Sequence, residues 1–117
     1  MKKIIHVDNS HFFRKQMEIF LRKEGFEVEN FDTGEDAAFV ISGGGAALVV
    51  CGLTLGDMDG KTFIKKIKEY YAGPVIILSS SIEKENEAAL SRLGVTAALK
   101  KSGGWEEALR PFLQSLA

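Results

Sequence analysis

The apolar residues of this chain fall into five short runs, and each run is followed by a segment in which apolar positions recur every three to four residues. Short apolar runs bounded by turn residues are typical of buried strands, and the longer spacing is typical of helices with one buried face. The pattern therefore predicts a strand and then a helix, five times over. The predicted strands are 3–7, 26–31, 46–51, 75–78 and 97–99, and the predicted helices are 11–24, 32–41, 61–71, 83–93 and 105–116.

Local signals support several of these boundaries. Ser10 is a good N-cap for the first helix, and Gly25 is placed to end it. Thr33 and Asp36 resemble a capping box with the shorter acid at the start of the second helix. These signals predict where the helices begin and end without reference to the rest of the fold.

The strand–helix alternation predicts an α/β fold. Parallel strands need crossover connections, and these are right-handed in nearly all proteins, which gives a doubly wound, five-stranded parallel sheet with helices on both faces. We expect one flavodoxin-like (βα)5 domain over residues 1–117. Periodicity does not reveal the strand order, but in such sheets the functional crevice lies beyond the carboxyl ends of the strands.

Composition narrows the class of protein. A chain of 117 residues with 45% hydrophobic residues can bury a core without disulfides or a structural metal. Its 15 basic and 16 acidic residues give no strong field toward nucleic acid or an anionic membrane, so we expect neither as a direct partner. One cysteine and two histidines provide no disulfide and no zinc cluster. With no signal peptide and no apolar stretch of membrane-spanning length, we expect a cytoplasmic protein.

Three chemically useful side chains follow predicted strands. An acid, Asp8, follows the first strand, a hydroxyl, Ser79, ends the fourth, and a lysine, Lys101, follows the fifth. An acid can hold Mg²⁺, a hydroxyl can bond a phosphoryl oxygen, and an ammonium can neutralise developing charge, so the set suits phosphoryl chemistry. The nucleophile is missing, and its natural place is the end of the third strand.

Five segments together identify a family resemblance. They are Val-Asp-Asn-Ser at 7–10, Thr-Gly-Glu-Asp-Ala at 33–37, the loop 52–60 ending in Met-Asp-Gly, the strand 74–80 and the strand 94–102. Over essentially the whole chain, these segments resemble the receiver domain of response regulators, the family of the bacterial chemotaxis regulator. The resemblance implies the same (βα)5 fold and a role in two-component signal transduction, or phosphorelay.

The resemblance also assigns roles to individual residues. It places Gly52 at the phosphoacceptor position, where glycine has no side chain with which to attack phosphorus, and leaves Ser79 and Lys101 as phosphoryl-contact residues. Asn9 stands where a second acid is expected. A metal site made from Asp8, Asn9 and a backbone carbonyl near Thr54 would therefore hold Mg²⁺ weakly or not at all.

Three further positions depart from the family pattern. Ala98 occupies the aromatic switch position and cannot make the ring movement associated with activation. Gly56 and Ser102 each stand where the family usually carries proline. Without a phosphoryl group to bind, Lys101 is predicted to pair with Asp8 or to leave a small anion-friendly notch over Gly52.

These observations favour a pseudo-receiver, which is not an enzyme, needs no cofactor and signals through contacts with another signalling protein or an output domain. The resemblance implies that homodimer or output contacts use the fourth helix, fifth strand and fifth helix. Two alternatives stay open. One is a working phosphorelay receiver with an unusual acceptor, Asp57, Asp59 or Ser79, and the other is a domain that binds an anion or metabolite over Gly52.

Several residues have simpler interpretations. His6 lies inside the first strand and is expected to be a satisfied core histidine, and Cys51 a small core residue. Trp105 is expected to pack the start of the last helix. Unless one of them is the unusual acceptor, Asp57 and Asp59 are expected to be turn residues of their loop.

Overall fold

The chain folds into one parallel sheet with helices on both faces. The computed structural model describes residues 1–80, 82 and 84–116, and residues 84–86 are described by their backbone alone. Hydrogen bonding places the strands in the order β2-β1-β3-β4-β5, with every neighbouring pair parallel. The strands are β1 Lys3–Val7, β2 Glu27–Phe31, β3 Ala46–Cys51, β4 Val75–Ser79 and β5 Ala97–Lys100. The helices are α1 His11–Lys23, α2 Gly34–Ser42, α3 Gly60–Lys68, α4 Lys84–Arg92 and α5 Trp105–Gln114.

The predicted doubly wound α/β fold is confirmed, and three element ends need correction by two or more residues. The second helix begins at Gly34 and not at residue 32, because Thr33 is its N-cap. The third helix ends at Lys68 and not at residue 71, because the N–H groups of Tyr70 and Tyr71 both donate to the carbonyl of Ile67 and close a turn. The last helix ends at Gln114 and not at residue 116. The predicted start of the fourth helix, at Glu83, lies outside the described residues.

The sheet is covered by apolar side chains on both faces, as expected for central parallel strands. Ile5 and Val7 of β1 face one layer with Phe63 of α3 at its centre, and Ile4 faces the other layer with Met17 of α1. Each fully buried aliphatic or aromatic side chain contributes roughly 1.5–3 kcal/mol of transfer free energy. This two-layer core fixes the strand ends relative to one another and so positions the site.

The predicted helix caps are present. The hydroxyl of Ser10 accepts a hydrogen bond from the Phe13 N–H at 3.1 Å, and the hydroxyl of Thr33 accepts one from the Asp36 N–H at 3.3 Å. Gly25, just after α1, has a φ of +92°, a conformation that residues with a Cβ rarely adopt. The residues that the sequence predicted as caps of α1 and α2 therefore cap these helices in the structure.

Gly60, the first residue of α3, lies against the backbone of the loop that precedes it. Its N–H donates to the Leu53 carbonyl at 2.8 Å, and a Cβ at Gly60 would lie 2.3 Å from the Gly52 carbonyl oxygen. Because a backbone atom cannot move aside without distorting the loop, Gly60 holds the start of α3 close to the end of β3.

We expect Gly60→Ala to lower the free energy of unfolding by about 2 kcal/mol, because the new methyl group overpacks the loop. Urea denaturation measures the change. Gly103→Ala is the matched control, since a Cβ there meets nothing within 4 Å and φ at Gly103 is not positive. Equal effects of the two substitutions would contradict the close approach at Gly60.

Candidate functional site

The carboxyl ends of β1, β3, β4 and β5 enclose a notch of about 80 Å³. The structure brings together there all six residues that the sequence assigned to the acceptor, phosphoryl-contact and metal positions. The notch is lined by Asp8, Asn9, Gly52, Leu53, Thr54, Leu78, Ser79, Ser80 and Lys101.

Main-chain hydrogen bonds hold the strand ends of the notch in place. The Gly52 N–H donates to the Val7 carbonyl at 3.1 Å, which fixes Gly52 beside the end of β1. The Lys101 N–H donates to the Ser79 carbonyl at 2.7 Å, which fixes the start of the Lys101 side chain beside the end of β4. Both contacts continue the parallel ladder one residue past the strands, so the notch is built by the sheet itself.

Lys101 and Asp8 form an ion pair inside the notch. The Lys101 Nζ lies 2.8 Å from Asp8 Oδ2, and the Asp8 and Lys101 side chains are 2% and 19% exposed. The other carboxylate oxygen of Asp8 accepts a hydrogen bond from the Ser10 N–H at 2.8 Å. The predicted pairing of Lys101 with Asp8 is confirmed: Oδ1 accepts a hydrogen bond, whereas Oδ2 has the charge of Lys101 beside it and accepts no hydrogen bond from the described residues.

Two neighbours of this ion pair were not predicted from the sequence. The ammonium of Lys101 lies 4.3 Å from the centre of the Phe13 ring, a cation–π contact, and the Arg14 guanidinium donates to the Asp8 carbonyl at 2.7 Å. The sequence indicates Phe13 only as part of the buried face of α1. Its place beside Lys101 depends on how α1 packs on the sheet, which no local signal reports.

Gly52 is not required by its backbone conformation. Its φ is not positive, so an L-residue could adopt the same backbone conformation there. A Cβ at Gly52 would lie 3.3 Å from Asp8 Oδ2, a contact that a shift of a few tenths of an ångström relieves. The glycine therefore removes a side chain from the notch without serving a special turn.

Asp57 and Asp59 lie outside the residues that line the notch, and both cap helices. The Asp57 carboxylate accepts hydrogen bonds from the N–H groups of Gly34 and Glu35, at 2.7 and 3.0 Å, at the start of α2. The Asp59 carboxylate accepts one from the Thr62 N–H at 2.7 Å and is the N-cap of α3. Both residues lie in the loop between β3 and α3, as expected, and each in addition caps a helix.

The pKa values of both caps are lowered. Partial desolvation raises the pKa of Asp57, but the two N–H donors of α2 outweigh it and hold that pKa below its usual value. The pKa of Asp59 is lowered mainly by the hydrogen bond from the Thr62 N–H. Each carboxylate is thus kept ionised and bound to backbone donors.

Gly56 ties the loop after β3 to the loop before α2. Its N–H donates to the Asp32 carbonyl at 2.8 Å, a bond that a proline at this position could not make. A Cβ at Gly56 would also lie 2.8 Å from the same carbonyl oxygen. The glycine at this position is therefore explained by a close backbone contact.

Ala98 lies in β5, outside the residues that line the notch. It is half-buried and packs against the core layer that contains Leu90 of α4. Its methyl group has no alternative rotamer to adopt, so the side chain offers no ring movement between buried and exposed positions.

The side chains in the notch fit Mg²⁺ poorly. In the described part of the notch lining, Asp8 provides the one carboxylate, and an ammonium already lies beside one of its oxygens. Asn9 is exposed and contributes only a neutral amide oxygen, whereas Mg²⁺ in proteins is bound through carboxylates and phosphates. Within the described part of the chain, no group of three or more His, Cys, Asp or Glu side chains could hold a metal ion.

His6 lies fully buried in β1, two residues before Asp8. Its Nδ1 lies 2.7 Å from Asn30 Oδ1, and the Asn30 amide donates to the Arg14 carbonyl and to Glu18, so Nδ1 carries the proton. Its Nε2 is buried and accepts no hydrogen bond from the described residues. The prediction of a satisfied core histidine is thus confirmed for one ring nitrogen only.

The interpretations of Cys51 and Trp105 are confirmed. Cys51 is fully buried in the core, and burial raises the pKa of its thiol far above the usual value. The Trp105 ring packs against Phe13 at 5.0 Å and Phe20 at 5.3 Å between centroids, which fixes the start of α5 on α1.

A comparison of the sequence with known families identifies a family that is consistent with the fold and the notch. Residues 4–110 match the model of the response regulator receiver domain. The chain therefore belongs to the receiver domain family of two-component response regulators.

Individual relatives share a low sequence identity with this chain. The transcriptional regulatory protein SrrA of Staphylococcus aureus is 28% identical over 83 residues, which are 71% of this chain and 34% of SrrA. The chain thus spans about a third of the length of the curated relative.

Solved structures share the fold. A two-component response regulator from Clostridium difficile superposes with a TM-score of 0.91 at 22% identity, over 99% of this chain and 95% of that one. The chemotaxis protein CheY4 of Vibrio cholerae superposes with a TM-score of 0.88 at 24% identity, over 100% and 99% of the two chains. In the part of this chain that the structure describes, no helix is long and apolar enough to span a membrane.

Proposed function

We propose that this receiver domain is a pseudo-receiver, which transmits signals through protein contacts and takes no phosphoryl group at Gly52. The observation that carries the proposal is Gly52 itself, which lies at the end of β3 inside the notch and provides no nucleophile. Acyl phosphate formation needs a carboxylate oxygen to attack phosphorus while the leaving group departs, and glycine has none.

The charges in the notch support the same proposal. The Lys101 ammonium, which would otherwise neutralise a phosphoryl group, is paired with Asp8 at 2.8 Å. An anion entering the notch would meet a neutralised pair, and the lining residues that the structure describes include no second cation. This argues against the anion-binding alternative and for a notch whose charges are already paired with each other.

The partners follow from the family. Receiver domains contact other signalling proteins or output domains, and we propose that this chain does so as a signalling module and not as an enzyme. A homodimer or output contact through α4, β5 and α5 is part of the proposal. Since Ala98 has no ring to move, the proposed contacts do not depend on an aromatic switch.

The test is the intact mass of the chain after incubation with acetyl phosphate and Mg²⁺. We expect no phosphoryl group on the native chain and one on the Gly52→Asp/Asn9→Asp variant, in which the carboxylate introduced at position 52 attacks phosphorus and acetate leaves. The backbone at Gly52 accepts the side chain, because φ is not positive and the nearest contact is 3.3 Å.

Asn9→Asp alone is the matched control, because it adds an acid and leaves Gly52 without a nucleophile. It should gain nothing. A phosphoryl group on the native chain would overturn the proposal, and fragment masses would then show whether Asp57, Asp59 or Ser79 carries it. If the double variant also stays unmodified, the assignment of Gly52 to the acceptor position is contradicted.

A further inference from the structure

A groove between α3 and α4 lies on a different part of the molecule from the notch. Its volume is about 410 Å³, and we call it the α3–α4 groove. Cations line it from both helices, Lys61 and Lys65 from α3 and Arg92 from α4. Its apolar lining comes from Ala89 and Leu93, both half-buried. The groove therefore offers a small apolar contact area bordered by positive charge.

The positive charge of the groove stands out against the chain as a whole, whose net charge is −1. Among the described residues, the lining holds three cations and one carboxylate, Asp59, which already caps α3. Lys65 and Arg92 are exposed, and neither forms an ion pair with a described residue. Clustered cations of this kind raise the local concentration of acidic ligands and steer them into the groove.

The neighbours of Arg92 on α4 leave its charge available to a ligand. The residues three and four positions before it on α4 are Ala89 and Ala88, so no acidic neighbour on that side of the helix pairs with the guanidinium. At the far end of α3, the Lys68 ammonium donates to the Gly94 carbonyl at 3.4 Å and adds a further positive charge between the two helices.

We propose that the α3–α4 groove binds an acidic amphipathic segment of a partner protein, with apolar side chains on Ala89 and Leu93 and carboxylates beside Lys61, Lys65 and Arg92. The inference rests on the proposed function, in which the domain acts through protein contacts, and it names the chemistry of one partner. A concave groove with apolar lining favours a peptide over a membrane surface. A polyanionic nucleic acid would need a broader basic face than these few cations provide.

The probe is a short labelled helical peptide with leucines along one face and glutamates on both sides of that face. Fluorescence anisotropy measures its affinity, and ¹⁵N amide shifts of the native chain map its position. We expect shifts concentrated in α3 and α4, affinity that falls as salt rises, and about tenfold weaker binding by Lys61→Gln/Lys65→Gln/Arg92→Gln.

Two controls isolate the groove. Lys15→Gln/Lys23→Gln/Lys100→Gln removes three exposed cations outside it, and this variant should bind the peptide as the native chain does. The same peptide with glutamine in place of glutamate should bind far more weakly to the native chain. Amide shifts outside α3 and α4, or equal losses in the two triple variants, would overturn the proposal.

Other occupants are outcomes of the same experiment. Tighter binding to phosphatidylglycerol vesicles or to single-stranded DNA than to the peptide, lost in the groove variant, would replace the acidic segment by that ligand and overturn the proposal. The phosphorylation test is separate, since neither Gly52 nor Asn9 lines the groove. Peptide binding in the groove by a chain that does accept phosphate would contradict the proposed function alone.

Discussion

Replacing Lys101 by methionine should lower the free energy of unfolding by about 3 kcal/mol. The substitution keeps most of the aliphatic stem but leaves the Asp8 carboxylate, 2% exposed, without its counter-charge. The Ser10 N–H still donates to the other carboxylate oxygen, so one partner remains. The cation–π contact with Phe13 is lost at the same time. Urea denaturation at neutral pH measures the change.

Lys100→Met is the matched control for this prediction. Lys100 is the neighbouring residue, carries the same charge and is exposed, so its loss should change stability by no more than about 0.5 kcal/mol. Adding Asp8→Asn to Lys101→Met tests the cause, because it removes the uncompensated charge. The two substitutions together should cost clearly less than the sum of their separate effects. Additive effects would show that the ion pair is not what stabilises the notch.

The sequence predicted the membership of the notch well because the ends of parallel strands meet at one edge of a sheet. Asp8, Gly52, Ser79 and Lys101 each follow or end a strand, so their proximity needs only the fold class and not the packing of side chains. Even the pairing of Lys101 with Asp8 follows from opposite charges brought to one edge.

Features that depend on packing between elements could not be predicted in the same way. The contact of Phe13 with Lys101 requires the docking of α1 on the sheet, and the bond of Asp57 to the start of α2 joins residues 23 positions apart. The end of α3 was also missed, because Tyr70 and Tyr71 continue the helical spacing while the backbone turns at Ile67. Local periodicity reports burial of Tyr71 correctly but not the hydrogen bonds that end the helix.

His6 should make the free energy of unfolding fall as the pH drops from about 6.5 to 4. Burial lowers the pKa of His6 to about 4, against an ordinary value of 6.5, while its hydrogen bond with Asn30 and the charge of Asp8 oppose the shift only in part. The unfolded chain therefore binds the proton more tightly than the folded chain. The contribution of neutral His6 to the free energy of unfolding is fully present above pH 6.5. It is lost progressively below that pH, by up to about 3 kcal/mol near pH 4.

Denaturation curves at several pH values between 7 and 4.5 measure this loss, with His6→Leu and His11→Leu as the matched pair. His6→Leu should remove most of the slope, because the imidazole is gone and Asn30 keeps its bonds to the Arg14 carbonyl and Glu18. His11→Leu, at an exposed position, should retain it. The pKa values of Asp57 and Asp59 are lowered from 3.8, so protonation of these carboxylates reduces the free energy of unfolding below that pH, outside this window. A slope that survives in His6→Leu would place the titrating group elsewhere.

NMR gives a direct check on the same residue. A ring proton resonance of His6 that titrates near pH 6.5 in the folded chain would contradict its burial as a neutral ring.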